Sequence, residues 1–139
     1  MGGIQMALLQ RLRLTSAAIV IVALSGGGAA AQTASTENGQ TVFRVCRACH
    51  LVGDNARNAV GPQLNSIVGR PAGSADGYTY SPNLKELGAG GLVWNEQNLD
   101  RYLENPKSVV PNGKMVFPGV KDGADRADLV AYLKTLAKP

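Results

Sequence analysis

The sequence has few of the residues from which most catalytic and metal sites are built. Its 139 residues include one histidine and two cysteines, and aromatic side chains make up 5%. No strand-like alternation of apolar and polar residues persists, and the chain has no internal repeat. These absences argue against a sheet-based domain and against a repeat protein. They favour one small helical domain.

Long apolar runs are also scarce. The one such run, residues 14–24, follows two arginines and precedes small residues that end at Ala31. This order is typical of a secretory signal peptide. The run is shorter than the ~20 residues of a membrane span, although an uncleaved N-terminal anchor is the alternative. We expect a signal peptide at residues 1–31, a domain at residues 32–139 with no membrane span, and a periplasmic location.

The positive charge of the chain comes partly from this leader. Removing the first 31 of 139 residues leaves 108 residues and takes away Arg11 and Arg13 but no acidic residue. Of the 14 Lys and Arg, 12 then remain against 10 Asp and Glu, a net charge of +2. This balance gives no reason to expect nucleic-acid binding.

Both cysteines and the histidine fall in one stretch, Cys46-Arg47-Ala48-Cys49-His50. Two cysteines three apart, followed at once by a histidine, are typical of covalent haem attachment. Each thiol can add to one vinyl group of the porphyrin, and the imidazole then lies next to the iron. The thioether bonds would also prevent the disulfide that an oxidising compartment favours. The stretch predicts one haem c bound through Cys46 and Cys49, with His50 as an iron ligand.

The same stretch has two weaker interpretations. A thiol–disulfide oxidoreductase would need strands around the motif, and the sequence predicts none. A zinc site would need a fourth ligand, and the chain has no other cysteine or histidine.

A second iron ligand has one candidate outside the leader. Met1 and Met6 lie in the leader, which leaves Met115. A thioether opposite an imidazole favours reduced iron and raises its potential. The Pro- and Gly-rich segment 111–119 around Met115 favours a ligand loop. A methionine that fills a gap in the core is the alternative.

The spacing of apolar residues predicts helices joined by long loops. Residues 51–80 are expected to form a loop-rich segment that wraps around a ligand, because they contain many glycines and scattered apolar residues. Four helices are expected in chain order: from Thr36 or Glu37 to about Cys49, from Pro82 to Leu87, from a cap at Asn95 to Pro106, and from between Asp122 and Asp125 onward.

Several ordered motifs resemble class I cytochrome c, in particular the mitochondrial protein and its periplasmic bacterial counterparts. The resemblance covers residues 39–136 and implies an all-α cytochrome c fold, with three to five short helices and long loops wrapped around one covalently attached haem. The motifs are CRACH, GPQL, a tryptophan before the third helix, YLENP, PNGKMVFPG and DLVAYLK.

The resemblance also assigns roles around the haem, with Cys46 and Cys49 as the thioether cysteines and His50 and Met115 as the two iron ligands. Pro62 matches a proline whose carbonyl accepts a hydrogen bond from the other nitrogen of the proximal histidine. Three residues match groups that hydrogen-bond or neutralise a buried propionate, namely Arg70, Tyr80 and Trp94. Tyr102 matches the tyrosine beside the methionine sulfur.

Some of these residues could instead have an ordinary structural role. An isolated arginine such as Arg70 is usually a surface group, and a lone tryptophan such as Trp94 usually belongs to the core. Gly39 could merely weaken its helix, whereas the resemblance implies that it lies where the first and last helices cross. The same resemblance places four residues at that crossing, namely Gly39, Phe43, Leu129 and Tyr132. It places Lys114 and Phe117 near the exposed haem edge.

The sequence departs from the family in three places. Gly113 stands where a polar residue often hydrogen-bonds a propionate. The segment between Tyr80 and Trp94 is longer than in the mitochondrial form, so no role is assigned within it. The lysines that dock mitochondrial partners are few, and Lys107 is followed by Ser108.

The function implied is that of a soluble, periplasmic, monomeric one-electron carrier with no catalytic residue. It would pass electrons between protein partners of a respiratory, photosynthetic or dehydrogenase-linked chain. One alternative is a haem subunit of a dehydrogenase complex. Another is a haem peroxidase-type enzyme, which would need a distal acid or base, and no second histidine is present.

Overall fold

Five short helices and the loops between them form the part of the chain that the computed structural model describes, residues 33–137. No strand forms in this range, where Pro71 and Val93 make one isolated bridge. The prediction of an all-α fold is therefore confirmed, whereas the predicted signal peptide lies outside the described residues. The helices are α1 Thr36–Val42, α2 Pro82–Ala89, α3 Glu96–Glu104, α4 Pro106–Val109 and α5 Gly123–Thr135.

Polar side chains cap the first turn of α1, α2, α3 and α5. The side chains of Ser81, Asn95 and Asp122 each accept a hydrogen bond from a backbone N–H of the helix that follows. The expected starts of α2, α3 and α5 are thus confirmed. Helix α3 ends at Glu104, and Pro106 begins the short α4.

The prediction of one helix as far as Cys49 is wrong. Helix α1 ends at Val42 and continues as a 3₁₀ turn over Phe43–Val45. The Cys46 N–H then donates to the Phe43 carbonyl at 2.9 Å, three residues back. A 3₁₀ turn also places side chains three residues apart on one side. The apolar spacing therefore does not distinguish it from an α-helix.

Gly39 lies where α1 crosses α5. A Cβ atom at this position would collide with the Asp128 carbonyl oxygen and lie 2.8 Å from the Tyr132 Cβ. Beside this contact, the rings of Phe43 and Tyr132 are 5.4 Å apart between centroids, and Leu129 is fully buried. The predicted crossing is confirmed, because glycine lets the two backbones approach closely.

Polar bonds reinforce the same crossing. The Ser35 N–H donates to Asp128 Oδ1 at 2.7 Å. The Asn38 amide donates to Asp125 Oδ1 at 3.0 Å and to Asp128 Oδ2 at 2.8 Å. The N-terminal end of the described chain is thereby fixed to the last helix.

Residues 51–80 contain no helix or strand, as predicted, and are held by long-range hydrogen bonds. The Gly61 N–H donates to the Cys49 carbonyl at 2.8 Å, and the Leu64 N–H to the Leu51 carbonyl at 3.1 Å. The buried Asn65 side chain also makes two bonds of 2.8 Å to the Gly53 backbone. The segment is therefore an ordered wrap.

The long segment between Tyr80 and Trp94 forms α2 and its connection to α3. Gly88 lies against the Ala72 backbone, and a Cβ there would collide with the Ala72 carbonyl oxygen. The Ala72 N–H donates to the Leu92 carbonyl at 2.8 Å. Within residues 33–137, no helix combines the length and the apolar content needed to cross a membrane.

Candidate functional site

A cavity of about 520 Å³ lies between the loop wrap and the helices. This volume falls within the range of roughly 300–1,000 Å³ that is usual for small-molecule and cofactor sites. Most side chains around it are apolar. It brings together all nine residues that the sequence proposed for a haem site, namely Cys46, Cys49, His50, Pro62, Arg70, Tyr80, Trp94, Tyr102 and Met115.

One ring nitrogen of His50 is engaged in a hydrogen bond within the protein. Its Nδ1 lies 2.7 Å from the Pro62 carbonyl oxygen, which accepts a hydrogen bond when Nδ1 carries the proton. That tautomer leaves Nε2 with a free electron pair. Burial lowers the pKa of His50, and the positive charge of Arg70 acts in the same direction, against the Pro62 bond. The neutral ring that results is the form that binds a metal ion.

Gly61 is a site residue that the sequence reasoning missed. A Cβ atom there would lie 2.7 Å from His50 Nδ1 and 2.8 Å from Nε2, so the backbone passes directly over the imidazole. No larger residue could take this place while the ring stays where it is. The signal was present in the Gly61-Pro62 pair, but its contact with His50 depends on how the loop folds.

The two cysteines lie in the turn that leads to His50. The His50 N–H donates to the Cys46 carbonyl at 2.9 Å, and both thiols are free. Burial raises the pKa of Cys46 to about 11, with the nearby Cys49 adding to the effect. Because the thiolate is the reactive form in disulfide exchange and the form that binds zinc, this environment suits neither rival function. Within the described range, no cluster of three or more His, Cys, Asp or Glu is arranged to hold a metal ion.

Met115 lies in the loop between α4 and α5 and is half-buried. It is not among the buried side chains of the core, so the gap-filling alternative has no support. The Tyr102 hydroxyl donates to its Sδ at 3.9 Å. Burial, and secondarily Tyr78, raises the pKa of Tyr102 to about 12. The phenol therefore stays protonated and remains a donor at ordinary pH.

Arg70 places a positive charge at the cavity wall. Its guanidinium donates to the Gln63 carbonyl at 3.1 Å and to the Asn65 carbonyl at 3.3 Å. In the part of the chain described, it forms no ion pair with a carboxylate. Burial lowers its pKa, but an arginine keeps its charge in proteins. A partly buried cation held by neutral carbonyls is suited to an anion supplied by a ligand.

Tyr80 and Trp94 complete this side of the cavity. The Tyr80 hydroxyl accepts a hydrogen bond from the Ala75 N–H at 3.3 Å, which leaves its own proton to donate. Trp94 is 5% exposed, and its ring centroid lies 4.8 Å from that of Tyr102. Trp94 thus belongs to the core and lines the cavity at once.

These residues fit a haem c. The apolar walls suit a porphyrin, Arg70 suits its propionates, and the free thiols of Cys46 and Cys49 suit its vinyl groups. An imidazole and a thioether are a known pair of iron ligands in electron-transfer proteins. When bound, haem supplies a couple that gains and loses one electron.

The rim of the cavity is apolar and open to solvent. Three large apolar side chains are well exposed there: Val45 at 65%, Val60 at 74% and Val116 at 98%. Lys114 and Phe117, which the resemblance placed near a haem edge, also line the cavity.

Comparisons with known proteins show the family of the chain. The family model for cytochrome c matches residues 36–137. Cytochrome c2 of Rhodomicrobium vannielii is 47% identical over 118 residues, which cover 85% of this chain and 92% of that protein. Cytochrome c-550 of Ancylobacter novellus is 52% identical over 97 residues, or 70% of this chain and 91% of that protein.

A solved structure agrees as well. Cytochrome c2 of Rhodospirillum centenum superposes with a TM-score of 0.71 at 36% identity, covering 75% of this chain and 99% of that one. The family match spans most of the chain, and the relatives are aligned over nearly their whole length. The chain belongs to the cytochrome c family.

Proposed function

We propose that this cytochrome c carries single electrons on one haem c whose iron is ligated by His50 and Met115. Members of the family to which the chain belongs are electron carriers and not enzymes. One observation carries the ligand assignment: the imidazole and the thioether of the described chain line one cavity, and each is oriented by its own hydrogen bond.

Each residue has a role in this proposal. Cys46 and Cys49 attach the porphyrin, and the Pro62 carbonyl orients His50. Such a bond fixes the ring and makes it a stronger ligand. With both residues as ligands, the iron would have no position free for a substrate. Carriage of electrons rather than catalysis follows from this coordination.

Arg70 and Tyr80 are proposed to receive a propionate. The guanidinium would offset its negative charge, and the Tyr80 hydroxyl has a proton to donate. A charge buried without such partners would cost several kcal/mol, in the order of magnitude known for buried ions. The pair therefore makes it possible for an ionised side group to lie inside the protein.

The exposed rim is proposed as the place of electron exchange with other redox proteins. Val45, Val60 and Val116 surround the opening, so a partner could approach the cofactor there without displacing core residues. We propose that the protein acts as a monomer. We also propose a periplasmic location, which is supported by the predicted signal peptide at residues 1–31 and by the proposed thioether bonds of the two cysteines.

Met115→Ala tests the ligand assignment. Removing the thioether should abolish the weak far-red band of the oxidised protein, lower the midpoint potential and let carbon monoxide bind the reduced iron. The visible spectrum, a redox titration and carbon monoxide difference spectra measure these effects. Val116→Ala, next in the chain and exposed, is the matched control and should leave these three measurements unchanged. An unmodified protein that binds carbon monoxide tightly at neutral pH would rule out the proposal.

A further inference from the structure

The loop that carries Met115 lacks backbone support. Its last backbone–backbone bond before the methionine runs from the Gly113 N–H to the Val110 carbonyl at 3.0 Å. The next runs from the Val120 N–H to the Leu103 carbonyl at 2.8 Å. Over the described chain, no backbone–backbone bond involves the residues between these two points. Something else must fix the position of the thioether.

Side-chain hydrogen bonds connect the loop to other parts of the chain. The Asn83 Oδ1 accepts from the Asn112 N–H at 3.1 Å. The ammonium groups of Lys107 and Lys114 donate to carbonyls: Lys107 to Gly113 at 2.8 Å, and Lys114 to Thr79 at 2.9 Å. Two of these bonds connect the loop to residues 79–83, another segment beside the cavity.

We expect Asn83 to be the most rigid of these partners. It is the second residue of α2, whose first turn is capped by the buried Ser81 hydroxyl. Farther along α2, Gly88 rests against the Ala72 backbone. Asparagine also has fewer rotatable bonds than lysine, so it loses less conformational entropy when it makes a contact. The Asn83 bond therefore attaches the loop to a fixed point.

We propose that Asn83 is a positioning residue: by accepting the Asn112 N–H, it holds the Met115 loop against α2 and limits the replacement of Met115 by an external ligand. This inference rests on the proposed ligation of the iron by Met115. It assigns a role in the long segment between Tyr80 and Trp94, where the resemblance assigned none.

Asn83→Ala removes the acceptor and tests the proposal in the oxidised, haem-loaded protein. The affinity for added imidazole should rise about three- to tenfold, as expected for the loss of one net hydrogen bond. The midpoint potential should fall, because a loosely held thioether stabilises reduced iron less. Asn83→Leu, of similar size and also without an acceptor, should act in the same direction. Asn83→Asp keeps an acceptor oxygen and should restore the imidazole affinity of the unmodified protein.

Glu86→Ala is the matched control, because Glu86 is exposed on the same helix and its side chain makes no hydrogen bond or ion pair in the described range. Alanine favours helix more than asparagine does, so Asn83→Ala is not expected to melt α2. If the unmodified protein has the far-red band but both Asn83→Ala and Asn83→Leu bind imidazole as it does, the positioning role is refuted. If the unmodified protein lacks the band, the ligand assignment itself fails.

Discussion

At the scale of single residues, hydrogen bonds determine which atoms face the cavity. The Pro62 carbonyl engages Nδ1 of His50 and leaves Nε2 available, and the Tyr102 hydroxyl engages the sulfur of Met115. The two hydrogen bonds thus have different effects on the two proposed ligands. The first bond makes the imidazole a stronger donor to a metal. The second draws electron density away from the thioether.

Tyr102→Phe should therefore lower the midpoint potential. Without the phenol, the sulfur donates more strongly and stabilises oxidised iron relative to reduced iron. The effect should be small, less than about 1 kcal/mol, since a hydrogen bond to sulfur is weak and its net value is modest. A redox titration measures it. Tyr132→Phe removes a hydroxyl away from the cavity and should leave the potential unchanged, whereas an equal change in both variants would contradict the explanation.

The sequence identified those site residues whose signal is local. Cys46, Cys49 and His50 lie within five consecutive residues, and Met115 is the sole methionine after the predicted leader. Other cavity residues, such as Pro62 and Arg70, emerged from the resemblance, because their spacing alone indicates nothing. Gly61 and Asn83 were assigned no role from sequence. Their importance depends on partners that are distant in the chain, and only folding reveals these.

At the scale of helices and loops, the sequence predicted where helices start better than it predicted where α1 ends. A cap such as Asn95 or Asp122 is a local chemical signal, and the structure uses both. The end of α1 was misjudged because an α-helix and a 3₁₀ turn present nearly the same apolar pattern. The sequence predicted that residues 51–80 wrap around a ligand, but it could not predict which hydrogen bonds hold this segment.

Gly39→Ala tests the crossing of α1 and α5. In an exposed helix interior this change usually stabilises by about 0.5–1 kcal/mol. Here the new methyl group would meet the Asp128 carbonyl, and we expect a destabilisation of about 1–3 kcal/mol or more, as for overpacked cores. Chemical denaturation of the haem-loaded protein measures the free energy of unfolding. Gly90→Ala, at an exposed site where the methyl makes contacts of 3.4 Å, is the control and should change little. A stabilised Gly39→Ala variant would contradict the close contact.

At the scale of the whole molecule, electrostatic attraction to partners is expected to be weak. The chain from residue 32 onward has a net charge of +2, and two ionised propionates would about cancel it. The rim of the cavity offers exposed valines, and its cation Lys114 is bonded to the Thr79 carbonyl. We therefore expect apolar contacts to contribute more than charge to the binding of partners at this surface.

The rate of electron exchange with a physiological partner should accordingly depend little on salt. Between 0.01 M and 0.15 M ionic strength the screening length falls from about 30 Å to 8 Å, which would slow a strongly steered encounter many-fold. Stopped-flow kinetics on a preparation shown by intact mass to begin at Gln32 measure this dependence. Val116→Asp should slow the reaction more than a change of salt does. A steep fall of the rate with salt, with no effect of Val116→Asp, would contradict the prediction.

The cavity of about 520 Å³ has a consequence for how the protein is made. Unfilled enclosed apolar volume costs roughly 24 cal/mol per Å³, so this space, which is open at its rim, would cost at most about 12 kcal/mol without its cofactor. That is comparable to the whole stability of a typical domain, about 5–15 kcal/mol. The polypeptide alone therefore has little reason to hold this shape. We therefore expect covalent attachment at Cys46 and Cys49 to precede the final fold, so that the chain could be delivered unfolded and assembled where its cofactor is.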